Sequence, residues 1–300
     1  MPITRKIMGV SRGGGKKAIF GYGYSSFNVF VSTTNLVSNT GVVSEDVTGV
    51  GTIRYDLAAA GYGTDKAIFG YGCYNNNGNA FSTTNLVSNT GVVSGDVTGV
   101  GTGRNALAAA GYGTDKAIFG YGAGAYPGYT MTNLVSNTGV VSGDVAGVGT
   151  GRTFLAAAGY GTDKAIFSFG YPTGYTNLVS NTGVVASNVA LVGSNRQKLA
   201  AAGYGTDKAI FGYGNDGSPL SITNLVSNTG VVSANTTGVG NAKYLLAAAG
   251  YGTDKAIFGY GDAGYYNSSV NLVSSTGVVS TDTTGVGTAR NQLAASSYGS

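Results

Sequence analysis

The chain has 300 residues, including 53 glycines and 21 tyrosines, and it contains no histidine or tryptophan. Its net charge is +4, but five basic residues lie among the first seventeen, so the rest of the chain is close to neutral. The absence of histidine excludes imidazole catalysis and histidine-ligated metal sites, and the nearly neutral body argues against general nucleic-acid binding. The high glycine content disfavours α-helices, because a glycine in a helix interior destabilises the helix by about 1 kcal/mol.

Residues 1–15 are predicted to form a basic leader, with Arg5, Lys6 and Arg12 and no acidic residue. A leader of this kind either docks on a partner or remains a solvated tail. The opening lacks the apolar run of a signal peptide, and no segment approaches the ~18 apolar residues of a membrane span. We therefore expect no cleaved signal and no membrane insertion, with residues 16–300 forming one domain.

From residue 16 onward the chain repeats itself six times. The phrase "AAAGYGTDKAIF" occurs five times unchanged, and all variation in repeat length falls between "GYG" and "NLVS", which leaves a constant frame of 38 residues. Fixed-period similarity of this length is typical of propellers and solenoids. The repeats begin near the lysine of each "KAIF": Lys17, Lys66, Lys116, Lys164, Lys208 and Lys255.

Four strands are predicted in each repeat. "KAIFGYG" leads through a variable loop to "TNLVS", an "NTG" corner leads to "GVVS", and a link leads to "LAAAGYG" and the turn "GTDK". Strand alternation puts Ala18, Phe20 and Tyr22 on one face, and Ile19 and two glycines on the other. We expect each aromatic face to pack on the glycine face of a neighbouring sheet.

The pattern predicts an all-β, six-bladed β-propeller of four-stranded blades, with an open β-solenoid as the alternative. The last repeat ends in "LAASSYGS", and the first begins without a strand of this kind. We therefore expect the strand at 293–299 to complete the sheet begun by 17–23 and to close the ring.

Alternating strands would place the "GTDK" turns and "SNTG" corners at one end of the domain, and the variable loops and links at the other. The loops combine tyrosine with asparagine, serine and glycine, as antibody contact loops do, although drift of unconstrained loops is an alternative. Candidate ligand-binding residues are Tyr24, Phe27, Tyr74, Asn76, Tyr126, Tyr129, Tyr171, Tyr175, Asn215, Tyr265 and Tyr266.

The pair of residues after each repeated arginine also varies, from Tyr55-Asp56 to Asn291-Gln292. Each arginine either binds anions at a channel mouth or pairs with the aspartate of its own link. The turn aspartates, such as Asp65, are expected to be structural, and Cys73 is expected to fill space. The glycine-rich links lack the Lys-Ser or Lys-Thr of a phosphate loop. With no histidine, one cysteine and a lysine beside each turn aspartate, we predict no catalytic residue, metal or cofactor.

The order of arginine, small strand, turn and "KAIFGYG" resembles the kelch repeat, in which an arginine precedes the inner strand, as Arg54 and Arg104 do here. Phrases such as "TNLVSNTGVVS" and "TTGVGTAR" resemble repeat-containing structural proteins of tailed, especially marine, phages, which are often tail-fibre or virion proteins. This resemblance implies a non-enzymatic virion component, assembled in the host cytoplasm.

Its role would be that of a tail-fibre or capsid-surface adhesin for a host glycan or surface protein. It would contact other virion proteins through the leader or the uniform turns. The alternatives are a purely structural decoration or scaffold protein and, third, a glycan-cleaving enzyme.

Overall fold

A computed structural model describes residues 16–26, 29–74, 79–124 and 126–299. In these residues the protein is all-β, built from small antiparallel sheets. No helix long and apolar enough to cross a membrane occurs in the described ranges. The predicted basic leader, residues 1–15, lies outside them.

Six sheets each combine an alanine-rich strand, a "KAIF" strand and a strand ending in "NLV". The first contains β1 (Lys17–Ser26), β2 (Val29–Val37) and β21 (Ala294–Tyr298), so it joins the two ends of the described chain. The second contains β3 (Ala58–Tyr62), β4 (Lys66–Gly70) and β7 (Thr84–Val87), and the third contains β8 (Ala108–Tyr112), β9 (Lys116–Gly120) and β10 (Thr132–Val135).

The other three sheets follow the same order. The fourth contains β11 (Ala156–Tyr160), β12 (Lys164–Phe169), β13 (Tyr175–Val179) and β14 (Val189–Ala190). The fifth contains β15 (Ala200–Tyr204), β16 (Lys208–Gly212) and β17 (Thr223–Val226), and the sixth contains β18 (Ala247–Tyr251), β19 (Lys255–Gly259) and β20 (Val270–Val273). A two-stranded sheet, β5 (Cys73–Tyr74) and β6 (Asn79–Ala80), lies in the second variable loop.

The predicted fourth strand is only partly formed. In the first repeat it joins β2 through two isolated bridges, Val37 with Val43 and Thr34 with Val47, and a short ladder forms only at β14 in the described chain. Side chains add to the main-chain bonds that remain: the amide of Asn35 donates to the Ser44 carbonyl at 3.1 Å, and the N–H of Leu36 donates to the Ser44 hydroxyl.

Packing between sheets follows the predicted contact of aromatic and glycine faces. Phe20 is fully buried, and a Cβ added to Gly259 would lie 2.9 Å from its Cζ. The same contact joins Phe69 to Gly21, where an added Cβ would lie 2.9 Å away. Glycine is required here because the neighbouring phenylalanine occupies the space of a side chain.

The predicted position of Tyr22 is wrong. Its φ is +65°, which breaks strand alternation, so Tyr22 packs with Ile19 and against Phe69 of the next sheet, on the face opposite Phe20. Phe20 instead meets Tyr260 of the sixth sheet, at 5.1 Å between ring centroids. Five interfaces therefore pair the phenylalanine of one sheet with the glycine and the aromatic residue of another, and at the sixth Ser168 stands in place of the glycine.

The alanine-rich strands contact one another in chain order. β3 contacts β8, β8 contacts β11, β11 contacts β15, β15 contacts β18, and β18 contacts β21. β21 also contacts β3. Small side chains allow this close approach, because alanine and glycine leave room for neighbouring main chains.

The uniform end consists of the "GTDK" turns and "SNTG" corners, which meet as predicted. The N–H of Gly63 donates to the carbonyl of Asp115 in the next turn at 2.7 Å, and its Cα lies beside the Asn137 carbonyl of a corner. Equivalent 2.7 Å bonds link the successive turns, and the last two use Lys16 as acceptor and Gly299 as donor. Residues from both ends of the described chain therefore supply the sixth position.

Candidate functional site at the variable end

The variable loops and the varied pairs after each arginine lie side by side. Each loop begins after an aromatic residue and a glycine, both with positive φ, such as Tyr22 at +65° and Gly23 at +108°. The first loop residue then bridges the first residue of a pair, as Tyr24 does with Asn291. This arrangement agrees with the prediction that both varied sets share one end, which we call the variable end.

Six main-chain hydrogen bonds connect the second residues of the pairs in a cycle. The N–H of Ala106 donates to the Asp56 carbonyl, and the cycle continues from residue to residue until the N–H of Asp56 donates to Gln292, with distances of 2.8 to 3.0 Å. All six have φ between +49° and +58°. None is glycine, and each left-handed residue costs about 1 kcal/mol or more. The cycle residues are Asp56, Ala106, Phe154, Lys198, Leu245 and Gln292.

The side chains of the cycle residues line a small cavity of about 70 Å³ with the leucines that follow them. Burial raises the pKa of Asp56 to about 7, although a hydrogen bond from Gln292 and the charge of Lys198 oppose the shift. The Lys198 ammonium lies 5.2 Å from the ring centre of Phe154 and 5.5 Å from that of Tyr244. The cavity is therefore walled by apolar groups and contains one acid and one base.

An aromatic cluster covers one sector of the variable end, formed by Tyr24, Phe30, Tyr55, Tyr74 and Tyr266. Tyr24 lies 5.1 to 6.1 Å, between ring centroids, from Phe30, Tyr55 and Tyr266. Phe30 stacks on Tyr55 at 5.0 Å with 14° between the planes, and it contacts Tyr74, which is 42% exposed. The cluster presents a partly exposed aromatic surface assembled from three repeats.

Polar groups border the aromatic cluster. The Oδ2 of Asp262 accepts a hydrogen bond from the side-chain amide of Asn291 at 3.1 Å, and its Oδ1 accepts from the N–H of Gly264 at 2.8 Å. Burial raises the pKa of Tyr244, and the nearby Asp262 carboxylate adds to the shift. The border therefore offers an acid and phenols, whereas the Asn291 amide is buried and bonded to Asp262.

The structure brings together three of the predicted site residues, Tyr24, Tyr74 and Tyr266. The others are distributed over the same end: Tyr126 is 85% exposed, and Tyr171 and Tyr265 are also exposed. Tyr129 lies against Gly124, Tyr175 belongs to β13, and Asn215 caps a turn by accepting from the N–H of Gly217 at 3.0 Å. Phe27 and Asn76 lie outside the described residues.

Sequence reasoning missed Phe30 and Tyr55 as members of the cluster and missed the hydrogen-bonded cycle. Phe30 occurs in the first loop and Tyr55 in the first pair, so their variability was visible. Both contact Tyr24, whose own contact with Tyr266 depends on the pairing of β1 with β21, which brings distant parts of the chain together.

The repeated arginines are structural and pair differently from the prediction. Arg54 is fully buried, 3.7 Å from Asp96 of the following link, and not beside Asp46 of its own link. Its guanidinium lies 4.7 Å from the ring centre of Tyr22. The expected pairing within one link is wrong, because each link lies across the next.

The Arg290 junction shows how such a buried cation is held. Its guanidinium donates to the Tyr22 carbonyl at 2.9 Å, to the Thr288 carbonyl at 3.1 Å and to the Asn35 side-chain oxygen at 2.6 Å. Asp46 accepts from the N–H and hydroxyl of Thr288 and lies 3.9 Å from the guanidinium. Buried charge is tolerated when partners satisfy it, so Arg290 is part of the framework.

The remaining polar residues are consistent with framework roles. Asp65 and Lys66 form an ion pair at 2.9 Å, and the other four turn aspartates pair with the lysine that follows them. Burial raises the pKa of the Cys73 thiol to about 12, so it is protonated at neutral pH. In the described ranges no group of three or more acidic or cysteine side chains is placed to hold a metal ion.

Comparison with known proteins adds no assignment: no family model matches the chain, and no curated protein sequence matches it.

Proposed function

We propose that the six sheets are the blades of a six-bladed β-propeller. The contacts of β21 with both β18 and β3, the pairing of β21 with β1, and the contact of Phe20 with Gly259 support this architecture. The hydrogen-bonded cycle at Asp56 supports it too, since its sixth bond returns to its start. An open solenoid would leave its first and last repeats apart.

We propose further that the protein is a non-enzymatic recognition protein of a virion, which binds a host-surface saccharide at the variable end. The aromatic cluster around Tyr24 and Phe30 carries this proposal. Aromatic faces provide rigid apolar contact area, and the bordering Asp262 carboxylate offers hydrogen-bond acceptors for hydroxyls. The virion assignment rests on the resemblance of the repeats to tailed-phage structural proteins.

The charges at the variable end favour a neutral saccharide over an anionic one. The six loops contain the acids Asp216 and Asp262 and no basic residue. The arginines nearby are buried in the links, and Lys198 faces the small cavity. A sulfated or carboxylated glycan would therefore meet repulsion from the loops.

Binding to an array of neutral and anionic glycans tests this function. Tyr266→Ala should weaken binding to the selected glycan about tenfold, because loss of an aromatic anchor costs about 1.4 kcal/mol or more. Tyr265→Ala is the matched control, since this exposed neighbour lies outside the cluster, and it should leave affinity within about twofold.

Three results would contradict the proposal. Equal affinities for the two variants would show that the aromatic cluster is not the site. No binding to any glycan or host surface would favour a purely structural virion protein. Release of shortened glycan from the incubation would show an enzyme.

A further inference from the structure

A second cavity, of about 280 Å³, lies at the uniform end, opposite the variable end. Turns from all six repeats surround it, and five of them contribute a tyrosine, a threonine and a lysine, such as Tyr62, Thr64 and Lys66. Its volume is close to the lower limit of about 300 Å³ for small-ligand sites. No role described above uses this cavity.

Cationic groups dominate the lining of this cavity. Six lysines line it, against one aspartate, Asp254. Asp65 shows where the other carboxylates go: its Oδ1 accepts from Lys66 and its Oδ2 accepts from the corner amide of Asn89 at 3.2 Å. The lining lysines are Lys16, Lys66, Lys116, Lys164, Lys208 and Lys255.

The sixth position makes the cavity more basic than the other five would alone. Each "GTDK" turn has an aspartate before its lysine, but the first repeat has Lys16 at that place, followed by Lys17. Lys16 lines the cavity, and its carbonyl accepts the 2.7 Å bond from Gly252. The six turns thus carry seven lysines and five aspartates.

Threonines add hydroxyl groups to the same lining from an unusual backbone conformation. Thr64, Thr114, Thr162 and Thr206 have φ of +68° or +69°. A β-branched residue is a genuine outlier in this region, and such strain is concentrated at ligand sites. The 2.7 Å bonds between successive turns hold these residues in place around the cavity.

We propose that this cavity binds one compact anion with several phosphate groups per chain. Lysine ammonium groups bind phosphate as point charges, and threonine hydroxyls donate to its remaining oxygens. All six repeats share one cavity, so the expected stoichiometry is one ligand per chain and not one per repeat. The proposal is independent of saccharide binding at the variable end.

Calorimetric titration with inorganic tripolyphosphate, in parallel with inorganic sulfate, tests the site. Tripolyphosphate should bind once per chain and more tightly than sulfate, with an affinity that falls as salt rises. Lys16→Met should weaken binding about threefold, since it removes an ammonium from the lining. Lys17→Met is the matched control, because Lys17 lies outside the lining, and it should change affinity less than twofold.

Asp163→Asn provides a test that misfolding cannot imitate. It removes the carboxylate that pairs with Lys164 at 2.8 Å, so it should strengthen tripolyphosphate binding about threefold. Unchanged or weaker binding by Asp163→Asn would overturn the proposal. So would several ligands per chain, equal effects of the Lys16 and Lys17 substitutions, or no saturable binding.

Discussion

At the uniform end, turn glycines such as Gly63 donate hydrogen bonds to the carbonyl of the next turn, and at the variable end cycle residues such as Ala106 do the same. Both ends thus use main-chain bonds between repeats. They differ in their side chains: the ring of Tyr62 packs against Gly139 of a corner, whereas the cycle residues face a small cavity. The side chains that pack between repeats, such as Tyr62, are the same from repeat to repeat. The cycle residues are positioned by main-chain hydrogen bonds, so their side chains are free to differ.

Removing a tyrosine should therefore affect the free energy of unfolding much more at the uniform end than at the variable end. Tyr112 is 4% exposed and its ring lies against Gly183, so Tyr112→Ala should lower the free energy of unfolding by about 3–5 kcal/mol. Tyr126 is 85% exposed, and Tyr126→Ala should change the free energy of unfolding by less than about 0.5 kcal/mol. Chemical denaturation measures both, and similar losses would refute the contrast.

The stability of the fold should be sensitive to changes in the backbone of the cycle residues and tolerant of changes in their side chains. Ala106→Pro removes the N–H that bonds Asp56 and cannot adopt φ of +49°, so we expect a loss of about 3 kcal/mol. Ala106→Gly keeps the bond and fits this φ, and its stability should stay within about 1 kcal/mol of wild type. If the proline variant were as stable as the glycine variant, the cycle would not support the fold.

The links between the two ends allow a smaller and more specific test. Burial raises the pKa of Asp96, but hydrogen bonds from Thr52 and Asn85 and the charge of Arg54 outweigh it and lower the pKa below its usual value. The equivalent position near Arg152 is Asn188, which accepts from the N–H of Thr150 at 3.3 Å. Two of the six links thus present an amide to a buried arginine.

Asn188→Asp should therefore stabilise the fold by about 1 kcal/mol at neutral pH. A carboxyl with a lowered folded pKa stabilises above its unfolded pKa of about 4, and this gain is lost as pH falls through the folded pKa. Denaturation at pH 7 and pH 3 measures the difference. The gain should be absent when Arg152→Met accompanies the change, and a gain that survives there would have another origin.

Much of the fold was predictable because the repeats restrict the packing options. The phenylalanine of "KAIF" in one sheet and the glycine that directly follows "KAIF" in another, as in Phe20 and Gly259, had to meet. The placement of turns and loops at opposite ends followed from strand alternation. The pairing of 293–299 with 17–23 followed from a strand missing at one end and present at the other.

Other features were not predictable because they depend on backbone angles or on neighbouring repeats. Tyr22 is a bulky residue in a left-handed conformation, which composition does not indicate. Arg54 could have reached either Asp46 or Asp96, and only the packing of one link on the next selects Asp96. The aromatic cluster joins Tyr24 to Tyr266, which are distant in the sequence.

The sheet shared by β1 and β21 also affects the order in which the protein matures during translation. β1 leaves the ribosome before its edge partner, β21, has been synthesised. Until then, the hydrogen-bonding edge of a strand rich in buried apolar residues stays open, as does the surface that Phe20 later shares with Gly259. Nascent chains therefore depend on the synthesis of β21 for protection against association with one another.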